Sequence, residues 1–315
     1  MSTRGLQQVA EKEQASTRNL PTQELGRLVR RLHTGNNIAM TILWIVAVLI
    51  AVAFIAIIVL LVVQGFPYLI DPSFYLASDL GVGRQIFNTF YVLIVSEVIL
   101  FPIALAAAIY TVEYARQGLL VTVIRFAAET LSGVPTIVLG LFGFILFGSL
   151  LGLHISRLTG ALTLLCLNLP LALRLFEDAL STVPRDLREG SLALGVTKWH
   201  MIRTVVLPSA LPGLITGLIL TAGKVIGETA ALVFTMGVSN PADVFTPDVS
   251  ITSDTLTIHL WYVKTLGAGS IPGMTAAKAS AISAGSAALL IVILLIINIG
   301  ARGLGRLIQR RLTAA

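Results

Sequence analysis

Charge is scarce in this chain. Only 12% of its 315 residues are Asp, Glu, Lys or Arg, while 56% are hydrophobic; soluble domains carry about a quarter charged residues. A surface so poor in charge cannot face water around a whole fold, which excludes an ordinary soluble domain. Cysteine is almost missing. Cys166 stands alone inside an apolar segment, so no internal disulfide forms and the redox compartment stays open. The four histidines, His33, His154, His200 and His259, are scattered, with no H-E-x-x-H and no paired cysteines, which gives a metal site little support. No G-x-x-x-x-G-K-[ST] loop is present to bind ATP, and no serine sits in a G-x-S-x-G elbow. The net charge of +6 could suit nucleic acid. The basic residues, however, flank apolar runs rather than gathering on a solvated face, so no nucleic-acid partner is expected.

What the chain does have is length of apolar sequence. Ile42 to Val63 is unbroken, long enough at 1.5 Å per residue to cross a hydrocarbon core of about 30 Å. Five further spans are expected at about 87–110, 130–153, 160–180, 209–236 and 279–301. The second carries Glu97 and Pro102, and the third Pro135 and Gly140. The fourth is interrupted by Arg174, Glu177 and Asp178, and the fifth by Lys224 and Glu228. Pro and Gly do not exclude helix here, because neighbouring helices can satisfy freed backbone groups. The expected fold is all-α, a polytopic membrane bundle of about six helices. The first run begins about forty residues in and lacks a small-residue cleavage site, so it is read as a retained span rather than a signal peptide.

Lys and Arg set the expected orientation. Sixteen fall in the tails and in the second and fourth connections: Arg4, Lys12, Arg18, Arg27, Arg30, Arg31, Arg116, Arg125, Arg185, Arg188, Lys198, Arg203, Arg302, Arg306, Arg310 and Arg311. Only Arg84, Arg157, Lys264 and Lys278 fall in the alternate connections. Both termini are therefore expected in the cytoplasm. The division expected is a tail over 1–39, a transmembrane domain over 40–301 and a basic tail over 302–315. Within the domain lie a cytoplasmic connection over 181–208 and an outer one over 237–278. In the first tail Leu25, Leu28, Val29 and Leu32 recur at helical spacing beside Arg27, Arg30 and Arg31, as in an amphipathic helix on membrane lipid.

The cytoplasmic connection carries the most local detail. Pro184 suits a first helical turn, Leu187, Ser191 and Leu194 mark one face, and Gly195 can end that helix. Thr197 can cap a second short helix, with Trp199, Ile202 and Val206 on one side, ending before Pro208. The small residues Gly190, Ser191 and Ala193 would let another protein approach closely. The run from Glu189 through Gly195, followed by Val206-Leu207-Pro208, resembles the EAA loop of bacterial ABC importer permeases. Gly190 and Ser191 stand where that family usually has alanine. The resemblance implies the MetI-like permease fold, and a coupling helix formed by Glu189, Gly190, Ser191, Ala193 and Gly195 with Leu207 and Pro208, docked on a separate ATPase.

Three more stretches, 133–140, 227–230 and 255–258, resemble phosphate-importer permeases of the PstA kind, with Thr136 in place of the usual Ser. That resemblance runs from about Asn88 to the end of the chain. It implies a second permease (PstC-like), an ATPase dimer (PstB-like) and an extracytoplasmic phosphate-binding protein (PstS-like), which would contact the outer connection. It also implies a bacterial inner-membrane location. The chain itself is expected to be no enzyme and to hold no cofactor, with ATP and magnesium bound by the partner ATPase. Cations inside spans are costly and need a reason. Arg174 lies three and four residues before Glu177 and Asp178, and Lys224 four before Glu228. That spacing permits local ion pairs along one helix. Alternatively, Arg174, Lys224, Glu177 and Glu228 line a substrate pathway for an anion. By the resemblance Lys224 stands where Arg is usual. Glu97 and Glu129 are lesser candidates. Sulfate or molybdate as the oxyanion, or a stand-alone secondary transporter, are the alternatives to phosphate import.

Overall fold

The computed structural model describes residues 22–77, 81–116, 118–239, 245–267 and 274–313, and among them every regular element is helical. The chain divides into two units, 1–60 and 61–315. The first unit contains the amino-terminal part of α1, Thr22–Leu69, with its most apolar stretch within 32–69. Helix therefore already runs through residues 25–32, continuous with the span, rather than forming a separate tail element.

The second unit is built on α2 (Gly83–Ile109), α5 (Arg157–Ser181), α8 (Leu207–Gly227) and α11 (Ala276–Thr313), each packed on the next in that order. Among the described residues five helices are long and apolar enough to cross a membrane, with a sixth if one bent pair counts as a span. That pair is α3 (Leu119–Gly133) and α4 (Thr136–Gly143, continuing to Leu150), which meet at 105°. The break has a local cause. Pro135 drives the preceding Val134 to extended backbone, φ −72° and ψ 132°, so α3 stops where a straight third span was expected. Small residues then allow close packing: a Cβ on Gly140 would lie 2.6 Å from the Cα of Ala231, and one on Gly213 2.7 Å from the Cβ of Ala179.

The expected fifth span is also interrupted. α8 ends at Gly227, Glu228 is extended, and α9 (Ala230–Thr235) begins a new helix. α10 (Leu256–Leu266), unforeseen in the outer connection, packs on α11. In the 181–208 connection α6 (Arg185–Ala193) and α7 (Lys198–Met201) stand where the sequence places them. The second does not end before Pro208, however. A π-helical turn over Ile202–Val206 carries it into α8, where Pro208 sits in the first turn and its missing N–H does no harm.

Two buried clusters tie the unit together. Toward the cytoplasmic connection, Leu100, Ala104, Phe176, Leu180, Met201, Ile202, Val206 and Leu214 join α2, α5, α7 and α8. Nearer the outer connection, Val92, Leu164, Val225, Leu232, Met236 and Ile258 join α2, α5, α8, α9 and α10.

Candidate functional site: an intraspan cavity, a coupling loop and an outer clamp

Arg174 is exposed on α5, as is Asp178, and Glu177 is half-buried beside them. All three line a cavity of about 460 Å³ together with Arg125 and Glu129 of α3. The local pairing that the sequence permits is not made. Glu177 pairs instead with Arg125, Nη2 to Oε2 at 3.6 Å. Arg174 makes no ion pair among the described residues. It is a guanidinium in a polar cavity inside a span, with no fixed counterion.

Lys224 and Glu228 do not share this cavity. Their i,i+4 relation fails because the helix stops between them. Lys224 is exposed on α8. Glu228 is buried, and its Oε1 accepts from the backbone N–H groups of Thr229 and Ala231 at 3.2 and 3.3 Å. A carboxylate there satisfies orphan donors at the start of α9, which is a structural task. Its carbonyl also accepts from the Thr257 hydroxyl at 3.0 Å, joining α9 to α10. Glu97 is half-buried on α2 near Thr221 of α8. Glu129 joins Arg174 in the cavity wall.

The 181–208 connection projects a face that no described residue covers. No residue of α6 is buried; Leu187, Leu192, Leu194 and Trp199 are all exposed. Glu189, Gly190 and Ala193 are exposed and Ser191 half-buried, with Leu207 half-buried and Pro208 exposed at the start of α8. Gly195 has φ +79°, the left-handed conformation its position after α6 requires. The Thr197 side chain accepts from the N–H of His200, capping α7 as expected. Arg188 anchors the loop. Its Nε donates to Glu113 at 3.0 Å, and Nη1 and Nη2 donate to the carbonyls of Val183 and Leu180 at 2.8 and 2.7 Å.

Near the 237–278 connection, sequence reading missed a highly connected residue. Arg157, counted there only as a loop charge, is 1% exposed. Its guanidinium donates to Asn88 Oδ1 at 2.5 Å, Ser253 Oγ at 3.2 Å and the carbonyls of Thr246 and Asp248 at 2.5 and 3.1 Å, and lies over the Tyr91 ring at 5.0 Å. The outer strap also caps α5. The N–H groups of Arg157 and Leu158 donate to the carbonyls of Ile251 and Val249 at 3.0 and 2.9 Å. Beside it, Asp254 is 2% exposed. It meets His259 Nδ1 at 2.9 Å, receives Gln85 Nε2 at 3.4 Å, and accepts from the Ser239 hydroxyl. Burial pushes the Asp254 carboxyl up, but contacts with His259, Ser239 and Gln85 outweigh it and hold the group below the ordinary carboxylate range. Among the described residues no cluster of His, Cys, Asp or Glu is arranged to hold a metal.

A helical bundle with a broken span, a charged intraspan cavity and an uncovered helix pair in the 181–208 connection fits a membrane transport permease. Residues 99–314 match the family of binding-protein-dependent transport system inner membrane components, and the chain belongs to that family. It is 39% identical over 260 residues to the probable ABC transporter permease protein YqgI of Bacillus subtilis, covering 79% of this chain and 86% of the relative. It is also 40% identical over 160 residues to the phosphate transport system permease protein PstA 1 of Mycobacterium tuberculosis, covering 51% of this chain and 52% of the relative. The chain thus spans about half the length of that PstA relative. Among solved structures, the inward-facing MetNI methionine ABC transporter aligns with a TM-score of 0.58 at 19% identity, covering 72% of this chain and 95% of that one. A bacterial ABC transporter that imports the acidic polysaccharide alginate aligns at 0.53 and 16%. These two establish the fold, the MetI-like permease bundle.

Proposed function

We propose that this chain is the permease for inorganic phosphate in an ATP-driven importer, forming half of the pathway and coupling it to a separate ATPase. The observation that carries this reading is an unpaired guanidinium, Arg174, in a polar cavity inside a span, in a chain similar to a PstA protein. A cation within a membrane span is costly unless something compensates it, and a passing anion does so transiently. Lys224, exposed on the neighbouring α8, is a second cation on the route. Glu177 lines the same cavity, and Glu228 serves the fold.

A second, PstC-like permease completes the pathway, and a PstS-like phosphate-binding protein delivers substrate to the outer side. The exposed α6 and α7 seat in a PstB-like ATPase dimer, which binds ATP and magnesium. Both termini face the cytoplasm of a bacterial inner membrane. The test is labelled phosphate uptake by a host lacking other phosphate importers, with and without this chain. Uptake should need the chain and ATP. Uptake driven by an ion gradient alone, or of sulfate instead of phosphate, would overturn the proposal.

A further inference from the structure

Two arginines and three carboxylates face one another across the cavity between α3 and α5: Arg125, Arg174, Glu129, Glu177 and Asp178. For an anion this is an odd wall, because the acids outnumber the bases. A fully ionised oxyanion such as sulfate offers acceptors only. It could take the guanidinium donors but would meet the carboxylates with no proton between them, which is repulsive. Phosphate near neutral pH keeps at least one hydroxyl. That hydroxyl can donate to a carboxylate while the remaining oxygens accept from arginine, both as charge-assisted bonds.

A second observation points the same way. Glu177 uses Oε2 to meet Arg125 at 3.6 Å, whereas Oε1 is buried and receives no hydrogen bond. A buried acceptor without a donor is costly and needs an explanation. The Glu177 carboxylate lines the cavity, and turning it toward that space lets a donor brought by the ligand supply one.

We propose that this cavity is an oxyanion subsite that reads protonation. Arg174 and Arg125 hold the anion, Glu177 and Asp178 accept its hydroxyl, and an oxyanion without a hydroxyl is turned away. Selection against sulfate is then built into the permease, separately from any selection by a binding protein. The inference rests on the phosphate reading above and adds the residues that enforce it. Arg125 thereby becomes a specificity-determining residue through its hold on Glu177.

The test uses the full-length chain in the complex with which it is expressed, purified without any extracytoplasmic binding protein. Labelled inorganic phosphate is bound at equilibrium and displaced by arsenate, which keeps a hydroxyl, or by sulfate, which does not. In the wild type, sulfate should displace at least about tenfold more weakly than arsenate, as expected when a site's acceptors lose their donor. In Glu177→Gln the amide can donate to sulfate, and the gap should narrow to about threefold or less. Asp178→Asn, at an exposed position, should narrow it likewise, and it stands in should Glu177→Gln fail to assemble. Equal displacement by sulfate and arsenate in the wild type, or an unchanged gap in the variants, overturns the proposal. Absence of phosphate binding by the wild-type complex also overturns it. In that case, phosphate uptake by cells dependent on this chain would show that the broader phosphate reading still stands.

Discussion

Arg188 and Glu113, 75 residues apart in sequence, form an ion pair of 3.0 Å with side chains only 16% and 6% exposed. Glu113 lies in the π-helical turn that ends α2, and its carbonyl also accepts from Lys198 Nζ of α7. Both α6 and α7 are thus pinned to the end of α2 through one residue. Arg188 further caps the last turn of α5 through the carbonyls of Leu180 and Val183. Force applied to α6 by an ATPase would pass directly to the two helices at the centre of the bundle.

Removing one member of that pair leaves the other buried and unpaired, a local penalty of about 3 kcal/mol. Arg188→Gln and Glu113→Gln should therefore reach the membrane but move less phosphate per ATP hydrolysed. The check is the ratio of uptake to hydrolysis in reconstituted vesicles, with a ratio equal to wild type in both variants as the contrary result.

Gly195 offers a second test of the same loop. Its φ is +79°, yet a Cβ there would meet nothing within 4 Å. Any harm from substitution is then backbone strain alone, about 1–2 kcal/mol for an ordinary residue. Gly195→Val should uncouple or weaken ATPase docking, while Gly195→Asn, whose side chain tolerates the left-handed region, should be milder. Co-purification of the ATPase and ATP-driven uptake at matched membrane levels report the difference. Full activity of Gly195→Val would mean that the bend is dispensable.

The outer network should be sensitive to acid. Asp254 has a carboxyl held below its ordinary range in the folded chain. A depressed carboxylate stabilises the fold fully above the unfolded pKa of about 4, and that stability is lost as pH falls through the folded value. Thermal unfolding of the purified protein should show no contribution from Asp254 titration between pH 7 and about 5, then a steep loss in stronger acid. Asp254→Asn should be less stable at neutral pH and should lack that component of the acid loss. An acid loss identical in variant and wild type would place the sensitive group elsewhere.

Orientation rests on the distribution of Lys and Arg. In a Cys166→Ser background, single cysteines at Gln14, Ser250 and Thr313 should react with an impermeant thiol reagent on intact cells only at Ser250. Ser250 is exposed, whereas Ser253 nearby is 1% exposed and holds Arg157, which makes it a poor reporter. Labelling at Gln14 or Thr313 would invert the topology.

What was legible in the sequence was local. The apolar run 42–63 announces a span by length alone, and Pro184, Gly195 and Thr197 mark the coupling helices because each acts on its own turn. What was hidden depends on partners far along the chain. Arg157 looks like a loop charge until Asn88 and Ser253, 69 and 96 residues away, fold around it. Arg125 meets Glu177 across two helices, so the nearer Arg174 looked like the natural partner. The spacing of Lys224 and Glu228 suggests a pair only if the helix continues. It stops at Gly227 because the Glu228 carboxylate is taken up by the next helix. Periodicity reports which face a residue is on, and it cannot report a break made by the residue itself.

The most direct test of the central claim is labelled phosphate uptake by Arg174→Gln at wild-type membrane levels. Arg174 has no ion pair to lose, so neutralising it leaves no acid newly unpaired, and the importer should still assemble. Uptake should fall to background, because the cavity's other guanidinium, Arg125, stands on α3 and pairs with Glu177 rather than taking the place of Arg174 on α5, and Arg174→Gln combined with Glu177→Gln should remain inactive. Lys224→Arg should retain transport. Wild-type uptake by Arg174→Gln, or recovery in the double variant, would contradict a pathway for phosphate through this cavity.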